Sequence, residues 1–265
     1  MAKHRSPTRP SAAQPPSSAR NQQTPTVPEN LLLAALPRED YERLAPALEI
    51  VPLKLRDMLH KPGEPAQHVY FPGQGGFCSV LTVLKDGSMI EVATIGREGV
   101  VGVSAVWDGG GLPFCSMVQA EMETCCRVTV AALRRETDRH GELYHLLAHY
   151  SQALMGFVMQ STACNAVHSI EQRLARWLLL AHDRVGRDEF PLTQEFAAMM
   201  LGAARPTVTV VAGTLQKAGL IKYRHGRVTI VDRGALEQAS CECYRAGTEL
   251  LDRVTAVHSD ARVLR

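Results

Sequence analysis

Apolar positions recur along the chain with two different periods, and the change of period divides it. Leu31, Leu32, Leu33, Ala35 and Leu36 mark a short helix, and a second follows over Pro37–Leu44. From Leu48 to about Ala131 short apolar runs are cut by Gly, Pro and Asp: Ile50–Leu53, His68–Phe71, Cys78–Leu84 and Ile90–Ile95. Turn signals separate these runs at Lys61–Pro65, Pro72–Gly76 and Lys85–Ser88. Asp86-Gly87 is the sharpest hairpin signal, because two-residue hairpin turns need residues that tolerate positive φ. Many short strands at this spacing predict an antiparallel barrel or jelly roll.

From about Gly141 the period lengthens to that of a helical seam. Leu143, Leu147, Tyr150, Leu154, Phe157, Ser161 and Cys164 step by alternating fours and threes, with no proline and one glycine between them. A seam this narrow suits a partner helix of its own kind, which predicts a dimerisation helix over 141–166. Leu146, Met155 and Val158 widen the stripe, so packing on the chain's own barrel is the alternative. After a break around Asn165–His168, a further helix is expected over Ser169–Asp183.

The stretch from Leu192 to Ile230 carries the chemistry. Leu192–Leu201 reads as a short helix capped by Thr193 and ended by Gly202, since glycine takes the left-handed turn conformation cheaply. A second helix starts at Arg205-Pro206, where proline's missing N–H costs nothing. Val208, Val211 and Leu215 share one face, and Arg205, Thr207, Thr209, Val210 and Gln216 lie opposite. Lys222–Arg224 and Arg227–Ile230 then read as two strands joined around His225-Gly226. Two helices across a glycine turn, followed by a basic hairpin, form the pattern of a winged helix-turn-helix. Its expected partner is double-stranded DNA. A winged-helix scaffold that binds a protein or small molecule without DNA is the competing class.

This order of jelly roll, seam helix and winged helix-turn-helix resembles the Crp/Fnr family of bacterial transcription regulators over roughly residues 30–233. The most specific match is Leu192-Thr193-Gln194-Glu195, then Met200-Leu201-Gly202-Ala203-Ala204-Arg205-Pro206-Thr207-Val208-Thr209, then Leu215–Ile221. The resemblance implies an α+β fold with a cyclic-nucleotide-binding-like sensor at 29–140 and a winged helix at 167–233. It implies that Arg205 reads guanine, consistent with the bidentate fit of guanidinium to O6 and N7. Thr193 and Thr207 then position phosphate, and Gln194, Thr209, Lys222, Arg224 and Arg227 complete the DNA-binding surface. A second copy of the chain and RNA polymerase are the further partners it implies. Departures stand at Pro206 and Val210, where the best-known members carry a glutamate and an arginine, and at Ala204, a poor helix cap.

Nucleotide-binding members present a Gly-Glu pair for the ribose and an Arg-Ser or Arg-Thr pair for the cyclic phosphate. Here Val103 follows Gly102, and Trp107–Met117 contains no arginine. A buried cyclic phosphate would lack compensation, so cyclic AMP is not expected and the effector stays open. Arg97 and Glu98 are expected to be a solvated pair on a turn.

Charge sharpens the division. The 265 residues sum to +2. Residues 1–28 carry +4, 29–167 carry −5, 168–233 carry +4 and 234–265 carry −1. The first segment, with six prolines and four serines, is expected to be a disordered basic tail. The last is expected to be a helical extension. No apolar run reaches the ~18 residues of a membrane span, and seven cysteines, an odd number, suit a reducing cytoplasm.

Iron–sulfur members hold their cluster with N-terminal cysteines, and the first cysteine here is Cys78. Cys125-Cys126 and Cys241-Glu242-Cys243 are close pairs with no neighbouring His or second pair in sequence to complete a tetrahedral site. Burial is therefore expected for all seven thiols, with no metal or other cofactor. Cys164, on the seam, is a candidate thiol switch acting on the dimer. His145 and His149 have metal-compatible spacing but are expected to face solvent. No Ser–His–Asp, paired-carboxylate or phosphate-loop arrangement stands out, so no enzyme is expected.

Overall fold

The computed structural model describes residues 28–107 and 111–263. The tail expected over 1–28 lies, apart from Pro28, outside the described residues. Helices α1 (Leu31–Ala35) and α2 (Arg38–Leu44) precede seven strands. These are β1 (Glu49–Leu53), β2 (Met58–His60), β3 (His68–Pro72), β4 (Phe77–Val83), β5 (Met89–Ile95), β6 (Cys115–Ala120) and β7 (Met122–Thr129). They form two antiparallel sheets, one ordered β1-β7-β3 and the other β2-β6-β4-β5. Phe71, Phe77, Leu81, Ile95, Val118 and Val128 belong to the core, each at most 2% exposed, and Phe77 meets Trp177 edge to face. Asn30 sets the entry to this jelly roll: its Oδ1 accepts from the N–H groups of Leu32 and Leu33, and its Nδ2 donates to Pro72 O and Gly99 O. The Asp86-Gly87 hairpin joins β4 to β5, with Gly87 at φ +82°.

Short helix α3 (Ser104–Trp107) interrupts the strands, and α4 (Val130–Thr137) follows them. Thr129 starts α4, its hydroxyl accepting from the Ala132 N–H, so the chain turns helical just short of Ala131, the limit that the strand texture predicts. The long helix α5 (Glu142–Val167) leads into α6 (Ile170–Val185), which opens on a reciprocal cap between Ser169 and Gln172. Then come β8 (Glu189–Pro191), α7 (Gln194–Leu201), α8 (Arg205–Lys217), β9 (Ile221–Arg224) and β10 (Arg227–Ile230). Strands β8, β10 and β9 form a small antiparallel sheet in that order. Helices α9 (Arg233–Ala239) and α10 (Cys243–Val263) end the described chain, and α10 folds back along α5.

That return corrects the reading of the seam. Leu143, Leu147, Tyr150, Phe157, Ser161 and Cys164 are buried inside the one chain, and Leu154 is half-buried. Tyr150 packs where a Cβ on Gly99 would stand 2.4 Å from its hydroxyl, so the upper seam lies on the jelly roll. Phe157 packs against Gly247, and Cys164 lies 3.5 Å from Cys241, so the lower seam lies on α10. The matching buried stripe on α10 is Tyr244, Gly247, Leu251 and Val254, also spaced by threes and fours. The narrow seam does have a partner helix, and it comes from the same chain. Cys164 correspondingly faces its own subunit, which removes the basis for a thiol switch across a dimer. The outward face of α5 instead carries Gln152, Met155, Met159 and Thr162, with Met155 56% and Met159 64% exposed.

Candidate nucleic-acid interface

Local chemistry builds the two-helix unit. The Thr193 hydroxyl accepts from the Phe196 N–H at 3.2 Å, starting α7, and Gly202 ends it at φ +56°. The chain bends by 104° into α8. Ala204 caps α8 without a side-chain hydrogen bond, and Pro206 occupies the first turn. Val208, Ala212 and Leu215 bury the inner face of α8, with Phe196, Ala197 and Leu201 of α7 also in the core. Arg173 of α6 donates to the Leu201 carbonyl, fixing the end of α7.

The outer face of α8 is open. Arg205, Thr207, Thr209, Val210 and Gln216 are all exposed, Val210 at 69%. Thr209 donates to Gln194 Oε1 at 2.7 Å, so these two site residues tie α7 to α8. Thr193 serves as a cap, with its side chain still exposed. In the wing, His225 and Gly226 take φ of +50° and +73° and close a tight hairpin between β9 and β10. Lys222 and Arg224 are exposed. Arg227 is not equivalent to them, because Glu189 of β8 pairs with it at 2.6 Å.

Two residues outside the expected set hold the wing in place against α8 and the segment before α7. Gln216 Oε1 accepts from the Tyr223 N–H at 2.7 Å, and the Tyr223 hydroxyl donates to Leu192 O at 2.6 Å. Burial pushes the Tyr223 hydroxyl up to about 12, so it stays a donor. Helical spacing puts Gln216 on the outer face of α8, but its bond to the wing depends on tertiary structure.

The winged unit sits directly on the jelly roll, α7 against β5. Glu91 of β5 is buried there, accepting from Trp177 Nε1 of α6 at 2.8 Å and from the Ser79 hydroxyl. Burial raises its carboxyl to about 7, against opposing hydrogen bonds from Ser79 and Trp177 and the charges of Arg176 and Arg184. Met200 Sδ of α7 lies 3.1 Å from Gln119 Nε2. Glu98 is not a solvated residue, since Arg184 of α6 pairs with it at 2.8 Å. Gly96 leaves room for that pair, since a Cβ there would meet Arg184 Cγ and Glu98 Oε2 at 2.7 Å.

The stretch that the family resemblance sets against the cyclic-nucleotide site is rich in buried apolar side chains. Val100, Val101, Val103, Val106 and Leu112 are buried. Gly102 takes φ +87° and lies against the His60 ring, 2.6 Å from where a Cβ would stand. His145 and His149 are placed on α5, and both are exposed. Cys125 is buried and Cys126 half-buried, as alternate strand positions require. Among the described residues, no single helix is long and apolar enough to cross a membrane.

Residues 172–239 match the family model of the Crp-like helix-turn-helix domain. No curated protein matches the sequence. A CRP-family transcriptional regulator from Thermus thermophilus superposes with a TM-score of 0.59 at 22% identity, covering 71% of this chain and 95% of that one. A structure assigned to the Crp/Fnr regulators, from Eubacterium rectale, gives 0.58 at 19% identity, with 78% and 96% covered. FixK2 from Bradyrhizobium japonicum gives 0.58 at 15%, with 73% and 98% covered. The α+β architecture of jelly roll, long helix and winged helix is therefore that of solved Crp/Fnr regulators, and the helix-turn-helix is Crp-like.

Proposed function

We propose that this chain, with its Crp-like helix-turn-helix on a Crp/Fnr fold, is a sequence-specific DNA-binding transcription regulator. The observation that carries the reading is the open outer face of α8, with Arg205 at its N-terminal end and Lys222 and Arg224 on the adjacent wing. A helix of this kind enters the major groove end-on, and a guanidinium at its start can meet guanine O6 and N7 together. Val210, exposed five residues further on, offers an apolar contact suited to a thymine methyl. The wing cations follow the phosphate backbone and supply affinity without sequence information.

The active form is a homodimer on a two-fold-symmetric operator, with recognition helices about 34 Å apart, one turn of duplex. The outward stripe of Met155 and Met159 on α5 supports that assembly, because large apolar side chains left exposed along a long helix mark an interaction surface. Cyclic AMP is not the effector in this reading. Val103 and Val106 are buried and apolar, the guanidinium nearest them, Arg134, is held by the Ala105 and Val106 carbonyls, and Glu98 already pairs with Arg184, so a buried phosphate finds no free cation there. Any signal in the jelly roll reaches the winged helix through the β5–α6–α7 contact.

Selection of random duplexes by the full-length protein tests the proposal. A recovered palindrome whose binding weakens with Arg205→Ala supports it. No enrichment over competitor DNA would overturn it in favour of a winged scaffold for a protein or small-molecule partner.

A further inference from the structure

Cys164 and His168 lie one turn apart at the C-terminal end of α5, and Cys241 and Cys243 stand at the start of α10. The fold closes the 77 positions between Cys164 and Cys241 to an Sγ–Sγ distance of 3.5 Å. Cys243 Sγ lies 3.6 Å from His168 Nδ1. All four of these ligand atoms lie within 4.8 Å of one another. We propose that Cys164, His168, Cys241 and Cys243 form a site for one tetrahedral divalent ion of the zinc class, which ties the C-terminal extension to the hinge between α5 and α6.

The distances suit one ion. With metal–sulfur bonds of about 2.3 Å and metal–nitrogen bonds of about 2.0–2.1 Å, a tetrahedral ion spaces two sulfurs about 3.8 Å apart, and sulfur and nitrogen about 3.5 Å apart. The four ligands of an iron–sulfur cluster are spread over two or four irons, so they do not all stand at the mutual spacing of a single ion. Three thiolates and an imidazole in tetrahedral array select zinc among the common divalent ions.

The surroundings have the features of a supporting shell. His168 presents Nδ1 to the sulfurs, while its Nε2 meets Glu242 Oε2 at 3.3 Å, the carboxylate–histidine arrangement that orients a metal-bound imidazole. Gln160 Nε2 donates to Cys243 Sγ at 3.0 Å. A dication with three thiolates and a neutral imidazole leaves one net negative charge. Arg173 and Arg176 lie close enough to act on these thiols, and the Nε of each is buried without a hydrogen-bond partner. The three cysteines are also buried as a cluster of their own, apart from the main core that holds Cys78, Cys115 and Cys125.

Binding releases the thiol protons to solvent and changes no oxidation state. The ion joins three points of the chain: the last turn of α5, its C-cap His168, and the start of α10. Since Ser169 begins α6 immediately after His168, the same ion fixes the direction in which the DNA-binding unit leaves the long helix.

Titration of the reduced, metal-free full-length protein with Co(II), followed by displacement with Zn(II), tests the site. One equivalent of Co(II) should give the intense visible bands of a tetrahedral site together with thiolate-to-cobalt charge transfer. Glu242→Gln should weaken binding about 10–100-fold, and Cys241→Ser or Cys243→Ser more than about 100-fold. Cys126→Ser, a thiol outside the cluster, should change nothing. The titration of the parent protein needs no variant to fold. Absence of the tetrahedral spectrum would overturn the site, as would its persistence at full strength in Cys241→Ser and Cys243→Ser. Iron with acid-labile sulfide in the protein as purified from cells would also overturn it.

Discussion

Arg184 reaches from α6 to meet Glu98 on the jelly roll at 2.8 Å, with its side chain only 5% exposed. It also donates to Thr94 O at 3.1 Å and to Leu180 O at 2.9 Å. One guanidinium therefore joins strand β5, the turn after it and the helix that leads into the winged unit. Removing one partner of a buried pair leaves a charge without compensation, which costs about 3–5 kcal/mol. Glu98→Ala is expected to lose stability toward the lower end of that range, because Thr94 O and Leu180 O still accept from Arg184. Urea unfolding monitored by Trp177 fluorescence measures the loss. A change within error of zero would mean that the pair is solvated after all.

Glu91 makes the same junction sensitive to pH. Its carboxyl stands at about 7 in the fold against an ordinary value of 4.5, chiefly because it is buried. Between those values the folded state keeps a proton that the unfolded chain has lost, so stability falls as pH rises from about 4.5 to about 7 and is level above. The full loss is on the order of 3 kcal/mol. Glu91→Gln keeps a carbonyl for Trp177 and an amide for Ser79 while removing the charge. The variant is expected to be more stable than the parent at pH 8 and to lack this slope. Unfolding free energies of both proteins at pH 5, 6, 7 and 8 decide it.

Salt dependence separates the wing cations. Taking one cation off the phosphate backbone should reduce the slope of log affinity against log salt by about 0.9. Lys222→Ala and Arg224→Ala are expected to show that change on the selected operator and on random duplex alike. Arg227→Ala should change the slope less, since Glu189 already neutralises that guanidinium. Fluorescence anisotropy across a salt series reads all three. Equal slopes for Arg227→Ala and Arg224→Ala would show that DNA displaces Glu189.

Local features are legible in the sequence, whereas tertiary pairings are hidden in it. Thr193, Gly202, Ser169 and the His225-Gly226 turn act within a few residues of themselves, so their side-chain chemistry announces each helix start, stop or hairpin. The cysteine cluster has no such signature. Cys241 and Cys243 have no histidine beside them in sequence, and their partners arrive only when α10 returns along α5. Cys164 and His168 have the four-residue spacing that places two side chains on one helix face, which is the only hint the sequence holds. Glu98 similarly reads as a turn residue because Arg184 lies 86 positions away. A heptad seam shows that a partner helix exists, not which helix it is.

That ambiguity leads to opposite expectations for neighbouring residues on α5. Phe157 is 2% exposed and packs on Gly247 of its own chain, whereas Met155 and Met159 point outward. Phe157→Ala should therefore cost about 3–5 kcal/mol of folding stability, the range for an emptied core phenylalanine. Met155→Glu with Met159→Glu should leave folding within about 0.5 kcal/mol, because exposed sites away from special features tolerate change. The double variant is expected to break the dimer, by placing like charges opposite one another across a two-fold axis. Sedimentation equilibrium gives the mass of each species, and operator affinity should fall with dimer loss because one half-site is then read alone. A stable dimer in the double variant would move the interface off this face of α5. Dissociation by Phe157→Ala without unfolding would return it to the seam.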